Sequence, residues 1–361
     1  MDKNDEEVFP VDGQLLMILP RAGASLRNPD VQLPTLRTDA SGHYLEMRVE
    51  PDSGERSEVA VIRRVPIEDL CEEEWKELKT QCASLDLSVC ADRGISKGLE
   101  KIKDPRIQRL LVALLTFLNP RQVAIVLFLY REAAKQSKSI SIVAFRSNDL
   151  LESLGYSRAK DGSFPAKLRS QLNRDLVALH RTELVLAESF EKDTGIGAKV
   201  IIKSILRIKG YEIDRVPRDF DLAKAADYTY ELADAYTVSL EFFEGPSRTG
   251  DYVLFSNSIS TEQKRGNNAK NNYKMKLVVY LAGRIKWDKL TDEQYLLISK
   301  PYLLKNLDLL GSNHSRNSQI LWRTIKELRD EGYILEAREL PGKGKMTNIQ
   351  LQINPEKLRC R

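Results

Sequence analysis

The chain has 361 residues, 42% of them hydrophobic and 30% charged, with a formal net charge of +4. Such a length suggests roughly two to three domains with real cores. It holds no apolar run near the roughly 18 residues of a membrane span, and an acidic, polar start argues against an export signal. The four cysteines, Cys71, Cys82, Cys90 and Cys360, form no CxxC pair, and His43, His180 and His314 are scattered. A disulfide framework and a zinc site are both disfavoured, and a reduced, cytoplasmic setting is expected.

The small net charge conceals a segregation. Residues 1–100 carry 12 Lys/Arg against 21 Asp/Glu, whereas residues 101–361 carry 44 against 31. An acidic leader ahead of a basic body fits a polyanionic partner. In chain order, residues 1–65 are expected to be a flexible acidic leader with a hairpin formed by 44–49 and 59–62. Residues 66–103 form an acidic helical segment opened by Pro66. Its glutamates Glu72, Glu73 and Glu74 suit the positive end of a helix dipole.

A first folded domain is expected over 104–245, connector included. An apolar helix at 110–115 leads to a second helix opened by Asn119-Pro120, a strand at 139–145, and a helix capped by Ser147 and ended by Gly155. Residues 156–163 form a polar loop. Pro165 begins a longer helix in which Leu168, Leu172, Leu176 and Leu179 share a face. The segments 184–190 and 199–208 then read as a hairpin. Residues 209–250 form a connector with a helix near 221–235 and a strand near 238–243.

The same order returns over 246–361. A basic, amide-rich run at 264–274 leads to an apolar helix around 277–281. Lys300-Pro301 starts a helix ending at Gly311. Residues 312–315 turn into a longer helix burying Leu321, Ile325 and Leu328, which Gly332 ends. A hairpin of 333–339 and 349–353 follows. Leu172, Arg174, Leu176 and Leu179 match Leu321, Arg323, Ile325 and Leu328 in spacing. Short helix, turn, longer helix and hairpin, occurring twice, describe an α+β chain of two tandem winged-helix domains behind an acidic, partly disordered N-terminal region.

In such a unit the longer helix meets the major groove, where Arg, Asn and Gln have the donor geometry to read base edges. The candidate DNA-binding residues are Arg316, Asn317, Gln319, Arg323 and Lys326 in the second copy and Lys167, Arg169, Asn173 and Arg174 in the first. Lys343 and Lys345, alternating with glycines at the second hairpin's tip, suit phosphates or a minor groove. The alternative for each is a solvated helix face or a turn with solubilising lysines. Enzyme signals fail: Gly342–Thr347 lacks phosphate-loop spacing, and no histidine-based triad or metal pair can be assembled. No catalytic residue, metal or cofactor is expected.

The layout over roughly 105–361 resembles the iteron-binding plasmid replication initiators, which carry two winged helices in one chain. The resemblance implies docking on repeated double-stranded sites at an origin, with the helix of Arg316, Gln319, Arg323 and Lys326 as the C-terminal reader and that of Lys167, Arg169, Asn173 and Arg174 as the N-terminal one. It also implies host replication proteins (a helicase or its loader) as partners and a homodimer as one assembly, with no membrane role. The alternative is a winged-helix transcriptional regulator.

Overall fold

The computed structural model describes the chain apart from residues 1–7, 23–25, 27–30, 40–41, 50–58, 68–70, 94, 103, 116, 137–140, 193–194, 215–232, 243–251, 258, 260–272, 289, 291–294, 310–311, 343–345 and 361. Its elements run β1 (Val8–Asp12), α1 (Gly13–Ala22), β2 (Thr35–Asp39), β3 (Gly42–Val49), β4 (Val59–Ile67), α2 (Glu72–Ala83), α3 (Leu87–Arg93), α4 (Ile95–Gly98), α5 (Pro105–Leu115) and α6 (Pro120–Gln136). There follow β5 (Ile142–Arg146), α7 (Ser147–Ser153), α8 (Ala166–Arg181), β6 (Glu183–Lys192), β7 (Gly195–Ser204), β8 (Leu206–Glu212), β9 (Ala235–Leu240) and β10 (Tyr252–Ser256). The last are α9 (Tyr273–Trp287), β11 (Tyr295–Ser299), α10 (Lys300–Asn306), α11 (His314–Asp330), β12 (Ile334–Pro341), β13 (Thr347–Ile353) and β14 (Leu358–Cys360). The chain is thus mixed α and β. Among the described residues no single helix is long and apolar enough to cross a membrane.

Two compact units emerge, and neither is continuous in sequence. One comprises residues 1–19, 120–177 and 206–361; the other comprises 20–119 and 178–205. These divisions differ from the expected boundaries at 65, 103 and 245, because strands pair across long sequence separations.

The second unit is built on an antiparallel sheet of order β2-β3-β4-β6-β7. Leu45 and Met47 on β3 and Val65 and Ile67 on β4 alternate with outward residues, as a strand's period of two requires. They bury against Leu78 and Cys82 of α2 and Leu111 and Leu114 of α5. Arg63 lies in the same inward row, fully buried, with Nη1 donating to the Leu114 carbonyl at 3.4 Å. On the opposite face Arg64 lies 4.0 Å over the Tyr44 ring and donates to Glu183 at 2.8 Å. Burial of the Cys82 thiol pushes its pKa up to about 12. Gly98 lies so close to Cys90 that a Cβ there would stand 2.1 Å from its sulfur.

Three expectations are corrected here. The hairpin of 44–49 and 59–62 exists, but much of the leader is ordered sheet, because β4 finds its second partner in β6. Pro66 lies at the end of β4, and the acidic helix begins at Glu72, where the Glu74 carboxylate accepts the Cys71 N–H at 2.9 Å. The apolar helix at 110–115 is α5, which packs in this unit and does not open the first repeat.

The first unit contains both repeats. One runs α6-β5-α7-α8-β8-β9 with sheet order β5-β9-β8; the other runs α9-β11-α10-α11-β12-β13 with sheet order β11-β13-β12. The order of elements and the strand order are the same in both. The expected first hairpin is therefore misplaced. β6 and β7 do pair with each other, but they extend the second unit's sheet through β4, and the repeat's own hairpin is β8–β9. The expected strand near 238–243 is β9, which begins at Ala235; the helix expected near 221–235 lies outside the described residues up to 232 and does not include 233–235, and the basic run at 264–272 lies outside them.

α6 is the apolar centre of this unit, with residues 122–130 all buried. Pro120 suits its first turn, where the missing N–H costs nothing. A third sheet, β1-β10-β14, completes the unit. β1 packs on α6, and β10 and β14 pack on α9, with Phe9 stacked on Phe255 at 5.7 Å between ring centres. Asp12 at the end of β1 accepts the Leu15 N–H at 2.9 Å and so caps α1.

Candidate nucleic-acid interface

α11 is set by local chemistry at both ends. The Asn313 side chain accepts the Arg316 N–H at 3.0 Å, an N-cap bond that satisfies one orphan donor. Gly332, at φ +77°, ends the helix in the left-handed region, where a side chain is strained. Between them Leu321, Ile325 and Leu328 are essentially fully buried, each contributing about 2 kcal/mol. The spacing that turns these three inward turns Arg316, Gln319, Arg323 and Lys326 outward, and all four are exposed. They recur at intervals of three, four and three residues and so form one face. Arg323 is loosely held, its Nε 3.9 Å from Glu327 and its side chain 65% exposed.

Asn317 is not part of this face. It is 8% exposed, and its Nδ2 donates to the Leu309 carbonyl at 3.0 Å. A side chain committed to an inward bond cannot reach a base edge, so this candidate is corrected to a structural one. The turn before α11 also differs from expectation. α10 ends at Asn306, and Asp308 takes the left-handed conformation, at φ +58°, while the expected end at Gly311 lies outside the described residues. Asp tolerates that region better than most residues, and its carboxylate is paired with Lys276 of α9.

The first repeat presents a poorer face. Lys167 and Arg174 are exposed, with Arg174 Nη2 donating to the Ser170 hydroxyl at 3.0 Å. Asn173 is only 1% exposed, and its amide finds no hydrogen-bond partner among the described residues. Arg169 is paired with the Asp234 carboxylate. Asn173 and Arg169 therefore depart from the outward placement expected of them. On the far side of α8, Asp175 accepts from both Arg121 and Gln122 of α6, which holds the helix to the core.

The second hairpin is where expected, with β12 and β13 paired antiparallel, and the Gly342 N–H donates to the Met346 carbonyl at 2.9 Å across its tip. Lys343 and Lys345 lie outside the described residues. Each repeat's hairpin has one register irregularity in its first strand, at Ile208/Gly210 and at Ile334/Glu336. The extra residues Lys209 and Leu335 are exposed, as residues bulged out of a ladder often are.

Sequence reasoning missed one cluster. Glu339 on β12 accepts from Lys300 Nζ at 2.5 Å and from the Trp322 indole N–H at 3.3 Å. The Lys300 bond holds its carboxyl below the ordinary glutamate range; partial burial opposes this and the Trp322 bond adds to it. The only sequence signal was the Lys300-Pro301 helix start. Among the described residues no group of His, Cys, Asp and Glu could hold a metal ion.

No protein-family model matches the chain, and no curated protein matches it. Solved chains similar to it include domains 2 and 3 of RctB as a selenomethionine derivative, with TM-score 0.44 and 13% identity over 95% of this chain and 98% of that one. A second structure of RctB domains 2–3 gives TM-score 0.40 and 11% identity over 94% and 96%. The superpositions are loose, and the functional reading below rests on this chain's own side chains.

Proposed function

We propose that the chain is a sequence-specific double-stranded DNA-binding protein in which both repeats are winged helices and α11 is the principal reader. One observation carries this reading: α11 exposes Arg316, Gln319, Arg323 and Lys326 on a single face, beside a hairpin, while burying its whole apolar stripe. Guanidinium and amide groups so spaced match guanine O6/N7 and adenine N6/N7. Lys167 and Arg174 of α8, and Lys343 and Lys345, are assigned to phosphates, which position a protein without specifying sequence. The protein has no catalytic role in this reading and needs no cofactor.

Two winged helices in one chain suit an extended site. We therefore favour an initiator of plasmid replication that binds direct repeats and engages host helicase machinery. A footprint of the purified chain on its own replicon, at about 0.15 M salt so that non-specific attraction is screened, tests this. Protection of tandem direct repeats is expected. Protection of a single operator over a promoter would make it a transcriptional regulator, and the absence of any discrete footprint would refute sequence-specific binding.

A further inference from the structure

We propose that Glu339 is a positioning residue that fixes the second hairpin to the reading helix, so that base contacts from α11 and phosphate contacts from the hairpin are made in one register. The inference rests on the DNA-binding function proposed above. Glu339 belongs to β12, Lys300 is the first residue of α10, and Trp322 lies on α11. One carboxylate therefore accepts hydrogen bonds from two helices while standing on the hairpin. Trp322 stands next to the exposed Arg323. Trp322 is half-buried, so its ring packs while its N–H points to the hairpin.

The first repeat holds its hairpin by a parallel device made from different residues. Asp234, immediately before β9, pairs with Arg169 of α8 and accepts the Asp214 N–H at 2.9 Å. Its own carbonyl accepts the Ser147 N–H at 2.8 Å, at the first residue of α7. In each repeat, then, an acidic residue of the hairpin segment is bonded to both helices, by its carboxylate alone in the second and by carboxylate and backbone carbonyl in the first. Charge-assisted bonds of this kind fix geometry as well as adding energy. β11 already pairs with β13 from Gln352 to Asn348, so in the second repeat Glu339 ties down β12, the outer strand; motion of that strand against the helices would otherwise have to be frozen at each binding event.

Glu339 also presents negative charge near a surface meant for phosphates, which by itself weakens binding. Simple removal of charge and loss of positioning are thus separable. The full chain is used, and the probes are the duplex it selects from a random-sequence pool and a scrambled duplex of equal length. Glu336→Ala is the control, since Glu336 is on the same strand but bonds the Tyr295 hydroxyl at 3.0 Å instead. It should tighten both duplexes equally and leave their affinity ratio unchanged. Glu339→Ala should lower that ratio about tenfold, the scale of one lost base contact. Glu339→Gln, whose amide oxygen still accepts both donors, should restore most of it. Trp322→Phe should reproduce part of the loss, and the double variant Glu339→Ala/Trp322→Phe should be no worse than Glu339→Ala. The proposal is overturned if Glu339→Ala keeps the wild-type ratio as Glu336→Ala does, or if its loss tracks a lowered melting temperature that Gln does not repair. A wild-type chain that selects no duplex would instead refute the DNA-binding reading itself.

Discussion

Asn317 and Arg323 sit on the same helix, and the structure assigns them opposite tasks. Truncating Asn317 to Ala removes the donor to the Leu309 carbonyl and leaves that carbonyl under a residue only 6% exposed. An unsatisfied buried acceptor costs about 1–3 kcal/mol, which for a unit of this size lowers Tm by about 2–12 °C. Well below that transition the face of Arg316, Gln319, Arg323 and Lys326 remains intact, so discrimination between selected and scrambled duplexes should be nearly unchanged. Arg323→Ala should do the reverse. Its contact with Glu327 is long and exposed, and such pairs contribute little to stability. A lost bidentate base contact would weaken selected-site binding by about 1–3 kcal/mol, or about 5- to 150-fold. The two variants are compared by thermal melting followed by Trp fluorescence and by duplex titration at 20 °C. Normal stability with lost discrimination for Asn317→Ala would refute its inward assignment. A folded Arg323→Ala that binds its selected duplex as the wild type does would refute the reader assignment of α11.

Other expectations are open to direct measurement. Gly98→Ala should destabilise the second unit by about 1–3 kcal/mol through overpacking, and adding Cys90→Ala should recover part of this, leaving the 3.2 Å approaches to the Cα and Cβ of residue 90; melting of the single and double variants decides it, and an unshifted Gly98→Ala would show that α3 and α4 do not pack so closely. The Lys300–Glu339 contact contributes stability above the unfolded-state glutamate pKa, and this is lost as pH falls through the lowered folded value. Trp322 fluorescence in an acid titration should therefore change below about pH 4.3, and a midpoint above that would reverse the assigned sign. In the native protein at pH 8, alkylation mapped by mass spectrometry should label exposed Cys71 and spare Cys82, whose thiol is pushed up to about 12; rapid labelling of Cys82 would show that its site opens readily.

What could be read in advance follows from the range of the interactions. The helices of both repeats were legible because a leucine stripe and its caps are local, and Pro120, Gly155 and Gly332 all lie within a few residues of the ends they mark. The inward Asn317 was legible too, since it stands four residues before Leu321 on the same stripe, although its amide is also the type that reads adenine. Asn173 sits beside Leu172 and three residues before Leu176, at the margin of its stripe, where a helical repeat alone does not decide. The first hairpin was misplaced for a different reason. β6 and β7 carry short β-branched and aliphatic runs around a glycine-containing turn and follow α8 directly, whereas their sheet is shared with β4, more than a hundred residues earlier. The same long-range pairing turned part of an expected flexible leader into sheet. Glu339, Lys300 and Trp322 come together only through tertiary packing, and no spacing rule would have joined them.

The pairing of Val8–Asp12 with Tyr252–Ser256 bears on how the protein is made. During synthesis the first strand leaves the ribosome long before its partner exists, and β4 likewise waits for β6. Neither unit can close its sheets in simple N-to-C order, and loop closure over such separations slows folding. Phe9 and Val11, both buried in the finished protein, stay exposed to solvent or chaperone until Tyr252–Ser256 has emerged. Production of active protein should therefore depend more on chaperone supply than on the equilibrium stability of either unit.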